Sequence, residues 1–212
     1  MIPRLWYVTD GVRGTAGRAQ AWVIEQAFRG GAGAVLLREP ARSGRSWQQL
    51  LEQLRPARRS GLRVVASRRL DLARALELDG VHLAADAVPV RDARAWLGSG
   101  RWIGYSAHSI EEAARAVDEG ADYVTLSPIH ATASKPSARP LGLDTLARAA
   151  AQVPAPVLAL GGVTPDRTRG ILEAGAWGLA VVSAIGGAAD VAGAAHAFTE
   201  SLAGRAPCTA AS

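Results

Sequence analysis

Along this chain one short unit recurs: a stretch with apolar residues at helical spacing, a Gly-Ala or Asp-Gly turn, then a brief continuous apolar run. It occurs at RGGAGAVLLRE (29–39), ELDGVHLAA (77–85), DEGADYVTLSP (118–128) and EAGAWGLAVVSAI (173–185). Each glycine falls where a helix C-terminus needs a left-handed residue, and an unbroken apolar run of this length reads as a parallel strand buried on both faces. With the less regular copies included, the pattern predicts strands near 5–9, 34–38, 63–67, 80–84, 102–106, 123–127, 157–161 and 178–183. Helical segments lie between them, for example 110–119 and 165–174, where Ser109 and Thr164 are placed to cap the N-termini ahead of acidic residues. Strands and helices alternating eight times, with no linker long enough to separate two domains, predict an α/β fold, a single-domain TIM (β/α)8 barrel over residues 1–203. Residues 204–212 are expected to form a disordered tail.

In such a barrel the chemistry collects where strands end and the following loops begin. Read in order, the polar residues at those ends are Asp10, Arg38 with Glu39, Ser67 with Arg68, Asp86, Ser106 with His108, the loop from Ser127 to Lys135, Gly161 with Gly162, and Ser183. The turns LALGG after the seventh strand and VVSAIGG after the eighth, which includes Ser183 and Ala184, have the small residues that let backbone N–H groups approach a phosphate. The bland reading is that these glycines only make tight turns. The loop SPIHATASKPSARPLG is long for a compact domain and carries Thr132, Ser134 and Lys135, two hydroxyls and an ammonium suited to an anionic oxygen cluster. The period of two along a strand lets either Arg38 or Glu39 face the barrel mouth, but not both. Among the four histidines, His108 and His130 sit at strand ends and are acid–base candidates, whereas His82 reads as a core residue and His196 as surface.

Composition narrows the function classes. The 212 residues are 49% hydrophobic and 20% charged, enough for an ordinary core, and no apolar run approaches a membrane span. The start MIPRLWYVTD lacks the order of a secretory signal, and one cysteine, Cys208, excludes a disulfide framework; a cytoplasmic location is expected. The net charge of +5 comes from scattered arginines rather than a basic tract, so no nucleic-acid or membrane partner is expected, while a homo-oligomer stays open. Lys135 is the one lysine beside 23 arginines, which marks it as a candidate phosphate contact.

The runs LWYVTD, LLRE, DLARALELDGVHLAAD, IGYSAHSIEEAARAVDEGADYVTLSPI, TASKP, LALGGVTPD and AGAWGLAVVSAI resemble the thiamine-phosphate synthase and TenI superfamily over about residues 5 to 200. The resemblance implies a barrel that binds a phosphorylated thiazole. In the synthases this thiazole attacks a pyrimidine methylene as pyrophosphate leaves with Mg2+, whereas TenI-type members include a metal-free thiazole tautomerase. The thiazole-phosphate half matches at Gly161, Gly162, Ser183, Ala184, Thr132, Ser134, Lys135, Ser106 and Arg38. The pyrimidine-pyrophosphate half departs: where synthases read QLREK this chain has Leu36 and Pro40, and the two expected Mg2+ carboxylates fall on Arg68 and Ala87. Ser67, Arg68 and Asp86 remain as remnants of that site, with Arg68 a candidate to neutralise pyrophosphate in place of metal. A guanidinium at a ligand position repels Mg2+.

The expectation is therefore a TenI-like thiazole tautomerase, an isomerase with no cofactor and no metal ligands, using His130 or His108 as acid–base group. TenI-type enzymes place their histidine where this chain has Pro128; His130, two residues on, regains that side only if the strand continues. The alternatives are a thiamine-phosphate synthase with an altered metal site, which would need Mg2+, and a non-catalytic thiazole-phosphate binder.

Overall fold

The computed structural model describes residues 1–11, 13–134 and 136–203. Eight parallel strands close into a barrel in chain order: β1 (Leu5–Val8), β2 (Ala34–Leu37), β3 (Arg63–Ser67), β4 (Gly80–Leu83), β5 (Trp102–Ala107), β6 (Tyr123–Leu126), β7 (Val157–Leu160) and β8 (Gly178–Val181). The outer layer runs α1 (Gln20–Arg29), α2 (Gly44–Gln53), α3 (Arg55–Arg59), α4 (Leu70–Ala75), α5 (Val90–Leu97), α6 (Ile110–Asp118), α7 (Gly142–Gln152), α8 (Pro165–Glu173), α9 (Ser183–Gly186) and α10 (Val191–Ala203). The predicted (β/α)8 barrel is the fold, and each strand lies within two residues of its expected bounds.

The strands are apolar on both faces because both faces are buried. Outward residues such as Leu5, Val35, Val64, Val81 and Ile103 join the helices in one large cluster. Inward residues Trp6, Val8, Leu36, Val65, Tyr123, Leu158 and Ala180 form a second, inside the cylinder. Glycine on β5 makes that interior possible: a Cβ on Gly104 would lie 2.5 Å from His82 Nδ1 and closer still to the Tyr123 ring. The vacated space holds a polar chain in which Tyr123 OH lies 3.2 Å from His82 Nδ1 and Thr125 Oγ1 lies 3.2 Å from His82 Nε2. His82 is thus the hydrogen-bonded core histidine that its setting within a strand predicts.

Of the two N-caps expected from the sequence, one forms and one does not. Ser109 Oγ accepts from the Glu112 N–H at 3.1 Å, while the Glu112 carboxylate reaches back to the His108 N–H at 2.8 Å, a capping box shifted by one residue. Thr164 occupies the N-cap position of α8 in extended conformation, but makes no side-chain capping bond, contrary to expectation; Pro165 starts the helix instead. His196 lies at the surface, 3.5 Å from Glu200. No helix among the described residues is long and apolar enough to cross a membrane. The expected tail, residues 204–212, lies outside the described residues.

Candidate active site

The inward positions continue past the strand ends into a cavity of about 420 Å³ at the C-terminal mouth of the barrel, within the range of roughly 300–1,000 Å³ usual for small-molecule sites. The choice left open at the end of β2 is resolved by register. Arg38, two residues beyond inward Leu36, lines the cavity, and its Nη2 lies 2.5 Å from Asp10 Oδ1. Glu39 turns the other way and is buried, accepting from Thr9 Oγ1 at 2.7 Å, the Gly11 N–H at 3.3 Å and Gln20 Nε2 at 2.5 Å. That knot ties the ends of β1 and β2 together beneath the arginine.

Most of the residues singled out in the sequence converge on this cavity. Arg38, Ser67, Arg68, Ser106, His108, Thr132, Ser134, Gly161, Gly162, Ser183 and Ala184 all line it. The two glycines after β7 carry φ of +93° and +62°, and a Cβ on either would strike the loop after β6, at Pro128 Cβ (2.7 Å) or His130 Cβ (2.7 Å). The positive φ and the close packing against the loop after β6 both require glycine here, and both glycines also line the cavity. Lys135 lies outside the described residues.

His130 is not where the period of two would place it. Strand β6 ends at Leu126, and beyond it Ser127 and the adjacent Pro128 both line the cavity, so the strict alternation has stopped. His130 lies against Gly162 and is not among the residues lining the cavity. Its pKa is lowered, first by desolvation and then by the Arg167 charge, with Asp166 opposing. His108 does line the cavity, with Nδ1 2.6 Å from the Ser127 carbonyl oxygen.

Two polar lining residues, His82 and Thr164, read in the sequence only as a core residue and a helix cap. His82 was legible in principle, because it precedes inward-facing Ala84 by one strand period. Burial holds its imidazole neutral, pushing the pKa down to about 3.

At the end of β3, Arg68 adopts φ +64°, a conformation that L side chains avoid, and its N–H donates to the His82 carbonyl at 2.8 Å. Its guanidinium is ion-paired with Asp86, which follows β4 and is not itself on the cavity wall. The residues present do not fit a magnesium ion. Among the described residues no carboxylate lines the cavity, Asp86 after β4 already holds a guanidinium, and no group of three or more His, Cys, Asp or Glu is arranged to hold a metal.

The family model described as thiamine monophosphate synthase (TMP-TENI) matches residues 5–185. A thiamine-phosphate synthase from Chloroflexus aurantiacus is 42% identical over 195 residues, covering 91% of this chain and 89% of the relative. One from Natronomonas pharaonis is 38% identical over 205 residues, 95% and 96% of the two chains. Among solved structures, a thiamine phosphate pyrophosphorylase from Pyrococcus furiosus superposes with a TM-score of 0.86 at 31% identity, covering 95% of this chain and 96% of that one. These similarities overturn the expectation of a tautomerase: the relatives that match almost end to end are named synthases, which are transferases and not isomerases.

Proposed function

Because the chain belongs to the thiamine monophosphate synthase family, we propose that it is a thiamine-phosphate synthase, joining a thiazole phosphate to a pyrimidine carried as its methyl diphosphate. The observation that carries the reading is the convergence of both small-residue turns and two guanidiniums on one cavity, giving it separate grips for a monophosphate and a diphosphate. The turns at Gly161–Gly162 and Ser183–Ala184 hold the thiazole phosphate through backbone N–H groups, with the Thr132 and Ser134 hydroxyls beside it from the loop after β6. Ser106 and His108 form the wall between the two substrates. Arg38, Ser67 and Arg68 face the diphosphate, Asp86 holding Arg68 in place.

In the coupling, the thiazole nitrogen lone pair forms a C–N bond to the pyrimidine methylene. The C–O bond to the diphosphate breaks, its electron pair leaving with the diphosphate oxygen. Formation of that bond moves no proton, so the reaction does not require a histidine base. Related synthases are expected to assist this departure with Mg2+; the residues here do not fit that ion, and no step is assigned to it.

Incubating the purified protein with both substrates and following thiamine phosphate by chromatography tests the proposal, with product formation expected. Ser183→Asp, which sets a carboxylate against the monophosphate, is expected to raise KM for the thiazole phosphate by more than about tenfold while leaving KM for the pyrimidine within about twofold. Absence of product with every divalent ion and with none refutes the reading.

A further inference from the structure

Among the described residues the cavity has a charge pattern that a magnesium-dependent diphosphate site would not have: two guanidiniums on its wall and no carboxylate. A divalent ion binds a diphosphate site when protein oxygens share it with the phosphate, and Mg2+ demands hard, anionic oxygens in near-octahedral order. Arg68 takes the opposite role, carrying positive charge of its own to the wall. Its left-handed backbone is fixed by the hydrogen bond to the His82 carbonyl, and Asp86 steadies its head group. Its side chain is still 54% exposed, so the guanidinium keeps N–H donors for an incoming anion. Arg38 is held on the same wall by Asp10.

We infer that Arg68 replaces the divalent cation, so that this protein binds and releases an organic diphosphate without a metal. The inference rests on the synthase reading above and says how the leaving group is stabilised there. The developing charge falls on the departing diphosphate oxygens, and a planar fork of N–H donors stabilises it through charge-assisted hydrogen bonds. Nothing is oxidised or reduced, and no co-reactant beyond the two substrates is required. Asp86 is a positioning residue that orients the guanidinium and gives way in part to the anion.

The first measurement is calorimetric titration of the full chain with inorganic pyrophosphate in excess EDTA, independent of turnover. Wild-type binding is expected, weakened at least about tenfold in Arg68→Ala and only in part in Arg68→Lys, which keeps the charge but not the fork. Thermal melting of each variant separates lost binding from lost folding. No binding in EDTA, or binding indifferent to Arg68→Ala, overturns the inference.

The second measurement is synthesis of thiamine phosphate with EDTA or with Mg2+. Equal rates within about twofold are expected for wild type, and Arg68→Asp, which restores a carboxylate beside Asp86, is expected to be inactive in EDTA and revived by Mg2+. Product formed by wild type only with Mg2+ overturns the inference while leaving the synthase reading intact. Product in neither condition refutes the synthase reading, and the pyrophosphate titration then decides for or against metal-free binding by itself.

Discussion

Adding one methyl group inside the barrel provides a severe test of how its interior is packed. Gly104 lies on the inward face of β5, and a Cβ there would sit 2.5 Å from His82 Nδ1, with the Tyr123 ring nearer still. Ordinary carbon contacts begin near 3.4 Å, so the ring must retreat by about 1 Å or more to accept the methyl. Tyr123 has nowhere to go: it is fully buried, and its centroid already lies 4.8 Å from that of Trp6. Overpacking a well-filled core costs about 1–3 kcal/mol. Because the shift would also break the Tyr123–His82 hydrogen bond, Gly104→Ala is placed near 3 kcal/mol. For a chain of this size that corresponds to a fall in Tm of roughly 6–12 °C by calorimetry. The double variant Gly104→Ala, Tyr123→Leu gives the methyl room, so the cycle should show a coupling of at least about 1 kcal/mol. A Tm within about 2 °C of wild type for Gly104→Ala, or strict additivity in the cycle, refutes this account of the interior.

Glu39→Ala strands three donors, on Thr9, Gly11 and Gln20, and should lower stability by about 3 kcal/mol in urea titration, whereas Glu39→Gln, which keeps an acceptor, should cost less than half of that. Acid stability depends on His82, whose folded pKa near 3 lies below the value of about 6.5 in the unfolded chain. Above pH 6.5 both states are neutral and its contribution is flat. As pH falls from about 6.5 towards 3, the unfolded chain takes up a proton that the folded ring refuses, so stability declines by up to about 1.4 kcal/mol per pH unit. Urea midpoints at several pH values check this: His82→Gln should flatten the slope in that window, and an unchanged slope refutes it.

The barrel was legible because each αβ joint repeats the same physical requirement, a left-handed turn before an inward-and-outward apolar strand. The cavity wall was legible for the same reason, since strand ends are the only places where a barrel's inward face meets solvent. What the sequence could not settle was direction. Arg38 and Glu39 are adjacent, and only the register after Leu36 sends the arginine to the cavity and the carboxylate into its knot with Thr9 and Gln20. The condition set for His130, that the strand continue past Pro128, is not met, because β6 ends at Leu126 and periodicity ends with the ladder that produces it. His82 was read as core and is core, yet it also forms part of the cavity lining, a double role that follows from the taper of the interior.

The functional misreading has a different cause, which is electrostatic. Losing both expected metal carboxylates at Arg68 and Ala87 suggested that the coupling reaction itself had been lost, while the near end-to-end similarity to synthases points the other way. Two carboxylates around a divalent cation sum to zero charge, and so do Arg68 and Asp86 as an ion pair. Exchanging one set for the other leaves the net charge at the end of β3 unchanged while altering the geometry demanded of the ligand: octahedral oxygens for magnesium, aligned oxygens for a guanidinium. A diphosphate can meet either demand, since its oxygens are numerous and rotate freely about the bridging bond. Loss of the ligands is therefore evidence about the ion and not about the reaction, and the side of the cavity that looked dismantled in the sequence is one that carries its own cation.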